Sequence, residues 1–415
     1  MKTYNFEYID KSDLLKRASK INVKDKEVFI QVFCWVLDKN KIKNLQKELN
    51  EVFPNSKISW TTTDWEIISW KVKKQSIIIS VSLFEKTNVN TLLLENIWKY
   101  NILEILEILE QNIIKQNTKC LIIFADWISS VEWLLDLIYK KFPNIYVSWW
   151  KSGDNYNFVN PYIFDNRKII TNWIIVTSLS WKDLNVYTNY NFSWTKVWKQ
   201  MKVTKADWRR IYELDNKPVY DVYKKYLWKI IADQLPKSWI QFPLIIDKSW
   251  VDIARDVLQK FDDWSLLLAW WIKTWDIVNF WCWNTDDILS GIFSIINDVT
   301  NVPIESVFLY SCTARKRFLW QDIIYEILPL SKIYNISWFF TYWEFYHTKK
   351  SNEVLNETLT FLCLSENKEV NKNQVSKITH LLKNLNFKTN KEKNSYFALS
   401  HLVKVTNQEL QEANN

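Results

Sequence analysis

Apolar positions along the chain fall into blocks with two distinct periods. Residues 28–34 (VFIQVFC) form an unbroken apolar, β-branched run, which predicts a buried strand. The next block, 39–52, places Ile42, Leu45, Leu49 and Val52 at helical spacing, and Lys57-Ile58-Ser59 then opens another strand. The pattern recurs twice. One copy runs through the strand 120–124, a helix over 129–141 and the strand 144–148. Another runs through the strand 307–311, a helix over 315–327 and the strand 332–337. Each copy has the size of a strand–helix–strand unit with parallel strands, about 30 residues. The predicted class is α/β, with mixed sheets.

Two copies also agree letter for letter. ISWTTTDWEI at 58–67 aligns with ISWFFTYWEF at 336–345, sharing Ile, Ser, Trp, Thr, Trp and Glu at equal offsets. Upstream, VFIQVFC matches VFLYSC with one gap. This internal repeat predicts two lobes related by duplication. Strand-rich stretches lie between them at 71–84, 168–180 and 185–191, and Asp215-Asn216-Lys217-Pro218 opens a helix over 216–234. The expected organisation is a first domain over 25–242, a second over 243–368 and a helical tail over 369–415.

Composition changes the reading of the turns. The chain holds 26 Trp and two Gly, where an average chain is about 7% Gly. Turns need backbone with positive φ, and only Gly takes it freely. The Trp residues stand where turns are needed. ADW at 125–127, KSW at 237–239 and DDW at 262–264 become ordinary turn strings when Trp is read as Gly. LAWWIKTWDIVNFWCWN at 268–284 then becomes strand, tight turn, strand and loop. Some bacterial lineages read the codon UGA as Gly, and a common alternative table reads it as Trp. The expectation is that nearly all 26 positions are natively Gly, against a literal reading as a sugar-stacking or cation–π surface.

Net charge is +8, with 54 Lys and Arg against 46 Asp and Glu. Lys dominates, as an AT-rich genome would give, and the longest basic run is the triplet Arg315-Lys316-Arg317. The charge therefore reads as a solvated surface and not as a nucleic-acid footprint. Five widely spaced cysteines, no CxxC and three His give neither a disulfide framework nor a zinc site. The N-terminus MKTYNFEYIDKSDLL lacks a signal-peptide core. No apolar stretch approaches the 18 residues of a membrane span. The expectation is a cytoplasmic protein with no cofactor and no metal.

The most specific chemistry is YSCTARKR at 310–317, where a strand exits into a helix. A helix N-terminus with Arg315 beside it could hold a carboxylate, and Cys312 could contact the same ligand or be a low-pKa thiol. The plainer alternative buries Cys312 as a small filler and pairs Arg315 with a structural carboxylate. Glu66 and Glu344 hold equal places in the repeat; each could serve a ligand or fix its own turn by accepting N–H groups. Gly153-Asp154 follows a turn string that invites a small ligand, but the phosphate-loop pattern is absent. His347 reads as a satisfied polar residue. The expected pocket is lined by Cys312, Arg315, Thr341 and Glu344, with Thr62, Glu66, Asp126, Gly153 and Asp154 as its other wall or a second site. Ligands of open α/β sheets bind at such strand ends. Strand-end Cys, Arg and Glu also suit an enzyme, and that alternative stands beside a binding role.

Several strings together resemble the bacterial FIST sensory proteins, an N-terminal FIST domain followed by a FIST C domain. PNSKISWTTTDWEI at 54–67 is similar to the family pattern PxAxxxGCTTxGEI, and PNIYVSWWKSGDN at 143–155 to PVxGGxAGDN. WTKVWKQMKVTKADW with IYELDNKPVYDVY, within 192–223, matches the segment typical between the lobes. FLYSCTAR, a later Glu and WFFTYWEF, within 308–345, match YSCxxR…E…GFFTYGEF. LNETLTFLCLSE at 355–366 closes the second lobe. The resemblance implies intracellular sensing of a small molecule, with amino acids the proposed ligands. It also implies coupling to an output module such as a histidine kinase, a GGDEF cyclase or a methyl-accepting segment.

The tail has Phe397, Leu399, Leu402 and Val405 on one helical face, then a TNQE capping box at Thr406–Glu409. In the resembling proteins a similar segment leads into a coiled coil. The expectation is a sensor whose output module is separate or missing, with a homodimer through the C-terminal helix left open.

Overall fold

The computed structural model describes residues 1–371 apart from 69–70, 96–98, 126–131, 155–160, 172, 193–194, 197–199, 234, 236–242, 249–250, 283–284, 320–322, 335, 343 and 348–351. Of the tail expected over 369–415, only 369–371 and Ser376 are among the described residues. The described chain forms two compact units. One is drawn from Met1–Asn191 and the stretch that starts at Ile292; the other is drawn from Phe192–Gly291.

The first unit is made by the repeat, in three copies. In the first copy, strand Glu27–Cys34 leads through helix Lys39–Val52 to strand Lys57–Thr62, and the two strands pair in parallel. In the second, Thr118–Ala125, helix Glu132–Lys141 and Tyr146–Lys151 do the same. In the third, Ser306–Cys312 and Ile336–Thr341 are joined by helices Thr313–Leu319 and Ile323–Ser331. The duplication seen in the strings thus builds three sheets of one unit, not one lobe for each copy.

Local sequence explains the elements. The apolar strand runs are buried on both faces, as parallel strands covered by helices must be. Asp38 caps helix Lys39–Val52 by accepting from the N–H groups of Asn40 and Lys41. That helix turns Ile42, Leu45 and Leu49 onto Val28, Ile30, Val32 and Ile58. The opposite faces of the sheets meet in a second core, where Phe33, Phe124 and Tyr310 stand close to Phe339. The Phe33 and Phe339 rings stack at 4.7 Å.

The sheets are linked by exchange of strands. After its parallel pair, each copy sends an arm hairpin into another copy's sheet. The arm Glu66–Ile68 of the first copy pairs with Ile336–Thr341 of the third. The arm Ile163–Phe164 of the second pairs with Lys57–Thr62 of the first. The arm Glu344–His347 of the third pairs with Tyr146–Lys151 of the second. Each chain segment then returns beside its own first strand: Ile77–Phe84, Trp173–Ser180 and Leu359–Ser365. Edge strands follow the same cycle. Asn88–Glu95 closes the second sheet, Asn185–Asn191 the third, and the N-terminal strand Lys2–Glu7 the first. The result is a pseudo-threefold exchange in which every sheet holds strands from three parts of the chain.

The pairing also fixes which residues are equivalent. Cys34 faces Thr62 and Ile77 across the ladder, and Ser311 faces Phe340 and Leu359. Ser311, not Cys312, therefore takes the place of Cys34. The match of the strands needs a shift of two residues without a gap, because ladder register, not letter similarity, sets which side chain faces which core.

The second unit is a mainly antiparallel sheet. Its strands run in the order Val251–Arg255, Leu244–Lys248, Ile277–Cys282, Met201–Asp207, Arg210–Leu214, Leu266–Leu268 and Val257–Lys260. Val203, Ile211, Leu214, Leu244, Val257 and Phe280 are among its core, together with Tyr223 of helix Val219–Asp233. The boundary expected at 242/243 lies within the stretch that forms this unit.

Candidate functional site

In each copy a hydroxyl residue stands at the end of the second strand or one residue past it, four residues after the shared Ser: Thr63, Ser152 and Thr341. A strand that stops and swaps its continuation to a neighbouring sheet leaves its last carbonyls without a ladder partner. Here the neighbouring copies supply the donors. The Gly153 N–H donates to the Thr62 carbonyl at 2.9 Å, and the Thr341 hydroxyl donates to the Lys151 carbonyl at 2.7 Å. The Phe340 N–H donates to the Trp65 carbonyl at 3.0 Å. The three strand exits are therefore stitched together at one end of the unit.

Gly153 explains why a glycine stands at this crossing. A Cβ there would meet Asp64 Oδ1 at 2.8 Å, Asp64 N at 2.9 Å and the Thr63 carbonyl carbon at 3.1 Å. Two of these are backbone atoms, which cannot move aside as a side chain would. The close approach, and not a positive φ, requires the glycine.

Carboxylates gather on the same loops. Asp64, Glu66, Asp154 and Glu344 are all at most 2% exposed. Glu66 accepts from the Thr63 hydroxyl on one oxygen and from the Ser76 hydroxyl at 2.7 Å on the other. Glu344 accepts from the Thr358 hydroxyl at 3.0 Å. Ser76 and Thr358 are themselves equivalent, each standing one residue before its return strand, and their carbonyls accept from the N–H groups of Trp35 and Cys312. The two glutamates thus hold matching places in the fold. Asp154 accepts from the Tyr342 hydroxyl at 3.0 Å.

Burial pushes the Glu66 carboxyl up to about 8, against the lowering effect of the Thr63 and Ser76 hydroxyls; the nearby Asp64 charge adds to the rise. Near neutral pH this side chain holds its proton in a large fraction of molecules, so it can donate as well as accept.

Thr62, Glu66, Gly153, Asp154, Thr341 and Glu344 lie in this stitched cluster. Cys312 adjoins it: its buried thiol lies 3.8 Å from the Tyr342 carbonyl and its N–H reaches Thr358. Arg315 is placed differently. Its side chain is fully buried in a two-point ion pair with Glu326, with Nε 3.3 Å from Oε2 and Nη2 on Oε1. Nη1 donates to the Glu357 carbonyl at 3.0 Å, and Asn191 donates to Glu326 at 3.1 Å. Arg315 thus meets a buried carboxylate and the carbonyl of the residue before Thr358. Asp126 lies outside the described residues. His347 is buried beside the rings of Tyr139 and Tyr146.

Sequence reasoning missed Asp64, Ser76, Tyr342 and Thr358. The signal was present for part of this. A hydroxyl residue recurs four places after the shared Ser of ISW, VSW and ISW in all three copies, but only two copies were aligned that far. Among the described residues no group of three His, Cys, Asp or Glu is placed to hold a metal ion. No described helix is long and apolar enough to cross a membrane.

A mixed α/β chain with three copies of one exchanged unit, and polar strand exits joined at one end, is the frame on which comparison with known proteins falls. The FIST N domain model matches residues 28–217 and the FIST C domain model matches 220–347. The chain belongs to the FIST family. FIST domains are sensory domains of signal transduction. Among curated proteins no relative matches the chain.

Proposed function

We propose that this chain senses a small molecule, an amino acid or related anionic metabolite, at the joined strand exits of the first unit, and passes occupancy to a signalling partner in the cytoplasm. The observation that carries this reading is the convergence of Glu66, Glu344, Asp154 and Gly153 with three strand-end hydroxyl residues. Carboxylates suit the ammonium group of an amino acid, and a protonated Glu66 with the hydroxyls suits its carboxylate. Arg315 is a positioning residue in this reading, holding the loop at Glu357 and Thr358 on which Glu344 rests. The partner is an output module of the histidine kinase, GGDEF or methyl-accepting kind.

The same reading includes native glycine at most Trp positions. Trp208, Trp264 and Trp275 have φ of 56°, 64° and 83°, where a side chain costs about 1–2 kcal/mol. All three lie in turns and are 49–64% exposed. Within the core, the Trp150 and Tyr310 ring centroids are only 3.2 Å apart, closer than the 4.5–7 Å that ring pairs prefer. Trp60 and Trp150 are nevertheless buried in strands, so the burial of these two gives no support. Mass spectrometry of the protein from its own cell decides the recoding.

The functional test is a thermal-shift panel of the protein, in its printed and Gly-restored forms, against each of the twenty amino acids at 10 mM, about 100-fold above a Kd near 0.1 mM. At that excess, binding adds about 2.7 kcal/mol. A rise of several degrees with one or a few amino acids supports the reading; a flat panel for both forms overturns it.

A further inference from the structure

The pseudo-threefold exchange leaves three equivalent crevices, each between an edge strand and the start of a neighbouring copy's second strand. One lies between Asn88–Thr91 and Lys57, with a volume of about 900 Å³. Another, of about 710 Å³, lies between Val186–Thr188 and Tyr146. The third lies between the N-terminal strand Lys2–Glu7 and Ile336, with a volume of about 560 Å³. These volumes are in the range of small-molecule sites.

Equal position has not produced equal chemistry. The crevice at Lys57 mixes signs, with Glu27 and Asp165 beside Lys57, Lys115 and Arg167. Among the described residues, the crevice at Tyr146 is lined by no carboxylate, Lys or Arg, and is faced by Tyr146, Tyr187, Tyr346 and His347. The crevice at Ile336 is lined by Lys2, Arg17, Lys20 and Lys332, with no carboxylate among the described residues of its wall. The abundance of lysine in the chain does not explain this, since among the described residues the same abundance left one of the other crevices mixed and the other without Lys or Arg.

Arg17 is partly neutralised by Asp13 at 2.6 Å. Lys2 lies over the Tyr4 ring at 4.8 Å. Among the described residues, Lys2, Lys20 and Lys332 meet no carboxylate. Lys20 and Lys332 follow the last turns of helices Lys11–Ala18 and Ile323–Ser331. A cation there complements the helix dipole. That accounts for each lysine singly, but not for their facing one crevice together with Lys2. Like charges gathered in a concave, partly apolar site raise the local potential and attract anions. Tyr4, Phe6, Ile21 and Tyr334 supply the apolar part of the wall.

We infer that this crevice is a second binding site, for a phosphorylated small molecule whose phosphate groups meet Lys2, Lys20 and Lys332 and whose planar or apolar part rests on the aromatic wall. The site is separate from the strand exits and does not depend on their function. A nucleoside diphosphate has the matching charge and shape.

The test is calorimetric titration of the full chain with ADP, pyrophosphate and adenosine at fixed ionic strength, using the parent, Lys20→Gln/Lys332→Gln and Glu344→Gln. Lys20 and Lys332 are exposed, so their replacement leaves the core intact, and thermal melts of each variant verify this. The expected result is binding of ADP, weaker binding of pyrophosphate and none of adenosine. The lysine double variant should weaken ADP binding on the order of tenfold or more, since it removes two charge-assisted contacts to phosphate. Glu344→Gln should leave it unchanged. Absence of ADP binding at millimolar concentration, or equal binding by the lysine variant, would overturn the proposal. So would tight binding of a single-stranded oligonucleotide that pyrophosphate does not displace. Loss of amino-acid binding with ADP binding retained would separate failure of the strand-exit reading from failure of this one.

Discussion

Replacing Arg315 with Ala should destabilise the first unit severely instead of quietly removing a ligand contact. The guanidinium is fully buried and makes two contacts to Glu326 and one to the Glu357 carbonyl. Truncation leaves the Glu326 carboxylate charged or newly protonated in the core, with only Asn191 among the described residues still donating to it. Removing one member of a buried pair costs about 3–5 kcal/mol. With a urea slope of about 2–3 kcal/mol per molar, the midpoint should fall by roughly 1–2 M. Arg315→Met/Glu326→Leu removes both charges and keeps the volume. It should recover at least about 1–2 kcal/mol of that loss, because no buried charge is left uncompensated. Urea unfolding followed by circular dichroism measures both. If Arg315→Ala folds with a midpoint within about 0.5 kcal/mol of the parent, as an ordinary surface change would, the structural assignment fails. Loss of an anionic ligand at unchanged stability would then make Arg315 a binding residue.

Three further outcomes follow from named contacts. Gly153→Ala should cost about 1–3 kcal/mol through overpacking against the Asp64 backbone; an unchanged melt would show that the strand exits are not closely joined. Glu66 holds its proton more tightly folded than unfolded, with a folded value of about 8. The unfolded chain binds fewer protons between the ordinary carboxyl value and 8, so stability should fall as pH rises through about 4.5–8. Glu66→Gln should flatten that slope, and a slope equal to the parent's would remove Glu66 as its source. Trp208→Gly, Trp264→Gly and Trp275→Gly should each stabilise by about 0.5–1 kcal/mol, relief of left-handed strain outweighing the added freedom of the unfolded chain. Destabilisation at all three would argue that Trp is native there.

How much of this was legible depended on the range of the interaction. The strand–helix–strand units were readable because burial on both faces leaves unbroken apolar runs, and helix Lys39–Val52 shows its buried stripe. Glu66 and Glu344 were matched correctly because each begins the arm that follows its copy's strand exit. The exchange of arms was invisible. Nothing in ISWTTTDWEI states that Glu66–Ile68 will pair with a strand some 270 residues away, since short strands carry no partner code beyond alternation. The partner of Arg315 was invisible for the same reason: Glu326 is eleven residues on, and only the fold brings it to the guanidinium. The cationic crevice draws Lys2, Lys20 and Lys332 from distant segments, so no local run of charge announced it.

The central claim is that the joined strand exits hold the ligand of this FIST sensor, and one titration tests it most directly. The amino acid that raises the melting temperature in the panel is titrated by calorimetry into the parent, Glu344→Gln and Lys20→Gln. Glu344 accepts from Thr358 inside the cluster, whereas Lys20 lines the separate crevice. Loss of a charged partner costs about 1.5–3 kcal/mol. The account predicts affinity at least about tenfold weaker in Glu344→Gln and unchanged in Lys20→Gln. Equal affinity in the parent and in a folded Glu344→Gln would contradict it.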